Sequence, residues 1–338
     1  MPERILIWGA GAIGGTVGAY LRAAGHDIAF VDVDRAHVAA IRDKGLQITG
    51  PIARFSVNAP AFTPDEVTGT WDRIFLCVKA QHTEDATRAL APHLAPGGYV
   101  LSLQNGLCED IIAGVIGREH VIGAFINFGA DWHGPGEILF ANHGAVVLGE
   151  LDGASTERLK ALHALLLGFA PHAIMTDDIA SYLWGKLVYG AFLFAQATGD
   201  LGIADSLARP ELLPLWRALG SEINAVATAL GVKPRGFNGY EPAAFMPGVN
   251  DPSAAKASID AMVAFNRPNA KTHSGIWRDI AVRKRRTEVD AQIEPIVAIA
   301  AQHGVKTPTV ARLVDMIHEI EQGKRRQSDA NLPELMRG

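Results

Sequence analysis

The chain has 338 residues, 48% hydrophobic and 20% charged, with a formal net charge of −5. That length is more than one core usually organises, so two domains are expected. The mild negative charge offers no footing for nucleic acid or an anionic membrane surface, and neither is expected as a partner.

Residues 4–8 read as a short buried strand. It runs into Gly9-Ala10-Gly11-Ala12-Ile13-Gly14-Gly15, with glycines spaced G-x-G-x-x-G, and then a helix reaching residue 24. At that spacing Gly9 permits the tight turn, Gly11 lets backbone approach a pyrophosphate, and Gly14 lets the helix lie close to the strand. The helix aims its unsatisfied N–H groups and positive dipole end at the phosphates. A second strand, residues 28–31, ends at Asp32, where a carboxylate can accept from adenosine ribose hydroxyls. Because the chain enters a strand at once, no signal peptide is expected.

Asp34 is the N-cap of a helix over residues 36–44, closed by Gly45. Residues 47–52 and 55–59 form short strands of an insertion. Residues 73–78 are a continuous apolar run, as a parallel strand covered on both faces requires, with Lys79 at its carboxyl end. A helix over 83–94 and a strand over 98–103 follow, the strand leading into Gln104-Asn105-Gly106. Strands at 121–125 and 145–150, a helix at 155–169 and a short strand at 173–175 close the first domain. The alternation predicts an α/β domain, a Rossmann-type doubly wound and mostly parallel sheet, over residues 1–177. Ligands of such sheets lie outside the carboxyl ends of the strands, which puts the Gly9 loop, Asp32, Lys79 and Asn105 along one edge.

From residue 178 to 338 the pattern is mainly helical, with helices expected at 179–197, 210–230, 254–266, 277–303 and 307–323. Residues 179–197 approach membrane length but hold Lys186 and are interrupted by Gly185 and Gly190, so a buried helix of a globular core is expected. The polar segment 323–329 reads as a solvated turn.

Lys186 is the most informative charge. An ammonium on a helix apolar almost all round must be paired or face a ligand, because burying it alone costs several kcal/mol. It can also snorkel to the surface. Glu288, placed on the long helix 277–303, reads on position alone as an exposed i,i+4 partner of Lys284. Lys79 and Asn105 follow sheet strands at the edge where loops carry function. His133 and His143 lack metal-ligand spacing, so no metal is expected. His82 reads as a surface residue. Cys77 and Cys108 have no C-x-x-C partner and read as reduced thiols of a cytoplasmic protein.

Taken together, Gly9 to Gly15, Val78-Lys79-Ala80, Gln104-Asn105-Gly106-Leu107, Trp184-Gly185-Lys186-Leu187, Arg286-Thr287-Glu288-Val289-Asp290 and Gly304 to Pro308 resemble the ketopantoate reductase (2-dehydropantoate 2-reductase) family over nearly the whole chain. The resemblance implies an NAD(P)-dependent enzyme that reduces a 2-oxo acid to a 2-hydroxy acid, in pantothenate biosynthesis, as a homodimer. It implies that Gly9, Gly11, Ala12, Ile13 and Gly14 hold the cofactor, with Lys79 beside it and Asn105 near the nicotinamide and the reacting carbon. Lys186 is then the general acid and Glu288 binds the substrate's hydroxyl end. The segment 271–279 follows the family's serine-containing stretch, making Ser274 the candidate carboxylate contact.

Two departures shape the expectation. The family's asparagines one and two turns after the catalytic lysine are here Gly190 and Phe194, which predicts a larger, more apolar pocket. This motivates a second reading, an NAD-linked dehydrogenase of a bulkier hydroxy acid; a third is a nucleotide-binding regulator without catalysis. NADPH-specific members place an arginine after the second strand, where this chain has Asp32-Val33-Asp34-Arg35. Asp32 would repel a 2′-phosphate and favours NAD. Arg35 could instead swing onto that phosphate, which would make the cofactor NADP.

Overall fold

The computed structural model describes residues 4–337, and the chain divides into two compact units, Met1–Ile179 and Ala180–Gly338. The first unit begins β1 (Arg4–Trp8), α1 (Ala12–Ala23), β2 (Asp27–Val31) and α2 (Arg35–Lys44). It continues β3 (Leu46–Thr49), β4 (Phe55–Val57), β5 (Ala61–Phe62), β6 (Trp71–Leu76), α3 (Thr83–Leu90), β7 (Leu94–Ser102) and α4 (Glu109–Ile116). It ends β8 (Val121–Gly134), β9 (Glu137–Glu150), α5 (Glu157–Leu166) and β10 (Ile174–Met175).

The strands form one sheet in the order β4-β3-β9-β8-β7-β6-β1-β2-β5, with β10 paired to β9. From β5 across to β8 every pairing is parallel. This run has the doubly wound order of a Rossmann fold, reversing direction between β1 and β6, where such sheets open a crevice at their carboxyl ends. The central strands are apolar on both faces because helices cover both. Ile5, Ile7, Phe30, Phe75, Leu101 and Ile122 are all buried in that core.

The far side of the sheet departs from the expected alternation. Residues 121–125 and 145–150 are the paired ends of a long antiparallel hairpin, β8 and β9, each strand 14 residues long. The middle of the hairpin carries Asn127, Gly129, Asp131, Asn142 and Gly144, polar and small residues that mask a strand pattern. The ladder is irregular there, with register shifts between Asn127 and Gly134. Glycine is required at 144, where a Cβ would stand 1.6 Å from the Asn127 carbonyl oxygen.

The second unit is helical. Its elements are α6 (Ile179–Ala197), α7 (Ile203–Leu207), α8 (Leu213–Ala229), α9 (Pro252–Asn266), α10 (Gly275–Ala281), α11 (Val289–Gln292), α12 (Glu294–Gln302), α13 (Pro308–Glu321) and α14 (Asn331–Glu334). The start of α13 is capped from a distance. The Glu222 carboxylate accepts the N–H groups of Thr309 and Val310 at 3.0 and 2.9 Å, which satisfies two of the orphan donors of a helix start.

Two expectations are corrected here. The single helix expected over 277–303 is broken into three. Lys284 is left-handed with φ 49°, and no α-helix passes through such a residue. The buried Asp279 carboxylate gathers Arg283 and Arg285 at 3.1 and 2.9 Å, folding the basic run back onto α10. Glu288 is therefore the N-cap residue of the short α11 and no i,i+4 partner of Lys284. The segment 323–329 is tied down as well. Gln327 donates to the carbonyls of Ala197 and Gly199, and Arg325 pairs with Glu319 and Glu334.

Candidate active site

In the first unit four loops leave adjacent parallel strands at the same edge. In the order β7-β6-β1-β2 they carry Asn105, Lys79, the Gly9 loop and Asp32. Gly9 and Gly14 are each required by close packing. Gly9 has φ 102°, and a Cβ would lie 2.9 Å from Cys77 and Val78 backbone. At Gly14 a Cβ would stand 2.1 Å from the Gly9 carbonyl oxygen, so α1 sits on the strand layer only because that position is glycine.

Gly11 is different. A Cβ there meets nothing within 4 Å, so this is open space above the backbone. Gly11 is the N-cap of α1 and offers no side chain to the first-turn N–H groups. Ala12 and Ile13 follow it, half-buried. A bare helix start with clear space before it fits a pyrophosphate. Cys77 lies beneath this loop, and burial pushes its thiol pKa up, which favours the protonated form.

Asp32, half-buried at the end of β2, accepts the Asp34 N–H at 3.0 Å. Asp34 in turn caps α2 through the N–H groups of Ala36 and His37. Arg35 is exposed and reaches toward Asp65 at 3.5 Å. Lys79 opens a short 3-10 turn, and Asn105 is exposed just beyond β7. Sequence reasoning gave no role to Gln104, yet its buried amide joins these two loops. It donates to the Val78 carbonyl at 3.0 Å and to the Thr83 hydroxyl at 2.8 Å.

In the second unit, α6 is buried on nearly all sides. Between Ser181 and Ala197 the residues that stay half-open are Tyr182, Lys186, Gly190 and Leu193. Their spacing of four, four and three residues makes one stripe along the helix. Lys186 is its charged member, and a Cβ at Gly190 would meet nothing within 4 Å. Gly185 is held by packing instead, since a Cβ would stand 2.1 Å from the Arg235 carbonyl oxygen. Phe194 is turned off the stripe and is 0% exposed. It belongs to the core, and the position in line with Lys186 and Gly190 is Leu193.

Glu288 is bracketed by two ties to α13. The Thr287 N–H and hydroxyl both donate to Glu321 at 2.7 Å, and Asp290 pairs with His318. Ser274 is buried as the N-cap of α10, its oxygen accepting from the Trp277 N–H at 3.1 Å. That leaves the hydroxyl hydrogen to be donated elsewhere.

The sequence profile "Ketopantoate reductase PanE/ApbA" matches residues 5–153, and its C-terminal companion "Ketopantoate reductase PanE/ApbA C terminal" matches residues 178–321. The chain belongs to the ketopantoate reductase family. A 2-dehydropantoate 2-reductase of Archaeoglobus fulgidus is 27% identical over 323 residues, covering 95% of this chain and 99% of the relative. One from Streptococcus pyogenes is 24% identical, covering 94% and 97%. Among solved structures, 2-dehydropantoate 2-reductase from Geobacter metallireducens superposes with a TM-score of 0.79 at 25% identity, covering 94% of this chain and 99% of that one. D-mandelate dehydrogenase with NADH and anilino(oxo)acetate shares the fold, with a TM-score of 0.83 at 22% identity, covering 95% and 99%. As a ketopantoate reductase family member the chain is an NAD(P)-dependent 2-oxo acid reductase, and the loop around Gly11 fits the dinucleotide this requires. Among the described residues no helix is long and apolar enough to cross a membrane.

Proposed function

We propose that this protein transfers hydride between a nicotinamide cofactor and the C2 carbonyl of a 2-oxo acid, with Lys186 as the general acid. The observation that carries the reading is the place of Lys186 on the half-open stripe of α6. A bound nicotinamide supplies the hydride. As it arrives at C2, negative charge builds on the carbonyl oxygen; the Lys186 ammonium stabilises that charge and gives up its proton to it. Solvent then re-protonates the lysine. Asn105 orients the reacting carbon, Glu288 accepts from the substrate's distal hydroxyl, and Ser274 donates to the carboxylate.

Residues 1–177 are the dinucleotide domain in this reading, and 178–338 bind substrate and form a homodimer in the cytoplasm. The cofactor is NAD. Supporting this, Asp32 follows β2 beside the glycine loop, where a carboxylate can accept from ribose hydroxyls, whereas Arg35 reaches toward Asp65. With ketopantoate as substrate the reaction belongs to pantothenate biosynthesis.

A second reading keeps the chemistry and changes the substrate to a bulkier 2-hydroxy acid. The open space at Gly190 favours it, since no asparagine side chain fills that position. The test is steady-state assay of ketopantoate against a panel of 2-oxo acids, with wild type and Lys186→Ala. Loss of turnover by 10²- to 10⁴-fold in the variant is expected. Full turnover without Lys186 would overturn the assignment, and high turnover on ketopantoate would remove the second reading.

A further inference from the structure

His37 lies in the first turn of α2 and is 1% exposed. Both ring nitrogens are used. Nδ1 meets the Gly136 backbone N–H at 2.9 Å and the Trp132 indole N–H at 3.3 Å. Nε2 stands 2.9 Å from the carbonyl oxygen of Ala10, inside the glycine loop. Backbone and indole N–H groups can only donate, so Nδ1 must accept. The ring hydrogen is therefore on Nε2 and is donated to Ala10. The neutral Nε2–H tautomer is the one form that satisfies all three contacts.

Ala10 is fully buried, so its carbonyl is cut off from water. In a trans peptide the N–H of the next residue points opposite to the carbonyl. Fixing the Ala10 carbonyl on His37 thus fixes the direction of the Gly11 N–H, the first orphan donor of α1. The same ring holds the tip of the β8–β9 hairpin through Gly136 and Trp132, while the backbone N–H of His37 donates to the Asp34 carboxylate, two residues beyond Asp32. The side chain thus ties the glycine loop to the hairpin, and the backbone of the same residue is held by the loop that carries Asp32.

We infer that His37 is a positioning residue for cofactor binding, orienting the glycine loop through its Nε2–H bond to Ala10. The inference rests on the reading of that loop as the dinucleotide site. Two variants separate the halves of the ring. His37→Asn places an acceptor where Nδ1 stands and loses the donor to Ala10. His37→Gln places an amide donor where Nε2 stands and loses the acceptor for Gly136.

Dissociation constants for NADH and NADPH, read by fluorescence, should rise about five- to tenfold in His37→Asn and stay within twofold of wild type in His37→Gln. The kcat at saturating cofactor should hardly move in either. A purely architectural histidine would lower the melting temperature in both variants and leave their affinities equal, and that result would overturn the inference. Nitrogen-15 NMR of histidine-labelled protein gives a readout independent of binding: an Nδ1–H tautomer for His37 would overturn the inference outright. Wild type that binds neither dinucleotide would overturn the reading of the loop itself, and the inference with it.

Discussion

The side-chain amide of Gln104 donates to the hydroxyl of Thr83 at 2.8 Å, spanning two loops that leave neighbouring strands. Lys79 leads into the 3-10 turn that runs into α3 at Thr83, and Asn105 lies between β7 and α4, so the amide joins the segments that carry both. Gln104→Leu should cost about 1–3 kcal/mol of stability, because the buried Thr83 hydroxyl and Val78 carbonyl lose a partner. Small shifts in such groups are felt in the rate, so kcat/KM should drop of order ten- to a hundredfold. Calorimetry and steady-state kinetics on the same preparation check both; unchanged kinetics would show that the amide bridge does not set the loops.

Asp32 bears on the choice of cofactor. Removing its carboxylate by Asp32→Ala should weaken NADH by about tenfold, the scale of a hydrogen bond to a charged group, and leave NADPH unchanged or tighter. Equal losses for both cofactors would mean that Asp32 serves only its turn with Asp34.

Gly190 offers a gain-of-contact experiment. A side chain there meets no protein atom within 4 Å, and asparagine is a better helix residue than glycine, so Gly190→Asn should fold normally. The added amide should lower KM for ketopantoate several-fold and raise it for bulkier 2-oxo acids. If neither KM moves, the open position does not face substrate.

His318 supplies a pH-dependent tie beside Glu288. Its hydrogen bond to the Asp290 carboxylate, with the charges of Asp290, Glu321 and Glu294 around it, holds its pKa above the usual histidine value of 6.5. A folded pKa above the unfolded one means that the stabilisation is fully present below pH 6.5 and fades as pH rises through the folded value. The melting temperature of wild type should therefore exceed that of His318→Gln most clearly near pH 6, with the gap narrowing at alkaline pH. A gap that widens with pH would reverse the assignment of the charged form.

The edge of the sheet was legible because it is written locally. Gly9, Gly11 and Gly14 are close in sequence, and each strand before Asp32, Lys79 and Asn105 is a short apolar run bounded by turn residues. The stripe on α6 was legible for the same reason, since Lys186 interrupts a helix whose period is plain. What escaped was non-local or masked. The centre of the hairpin alternates small and polar residues that imitate a loop. The break at Lys284 falls in a basic run with no glycine or proline to announce it. Phe194 is the expected number of residues from Lys186, yet the turn of the helix carries it into the core and leaves Leu193 in line. His37 carried no signal at all, because the partners of Nδ1 lie 95 and 99 residues away.

The turn that follows α6 takes its hydrogen bonds from far down the chain. Asp329 accepts from the N–H groups of Asp200 and Leu201, and Gln327 and Asn331 donate to carbonyls between Ala197 and Gly199, across separations of 128 to 133 residues. During synthesis the sheet has its last strand in hand once Met175 has emerged. The helix bearing Lys186 must wait until residue 331 has left the ribosome before its end can be closed, so the sheet unit can mature while the helical unit is still incomplete.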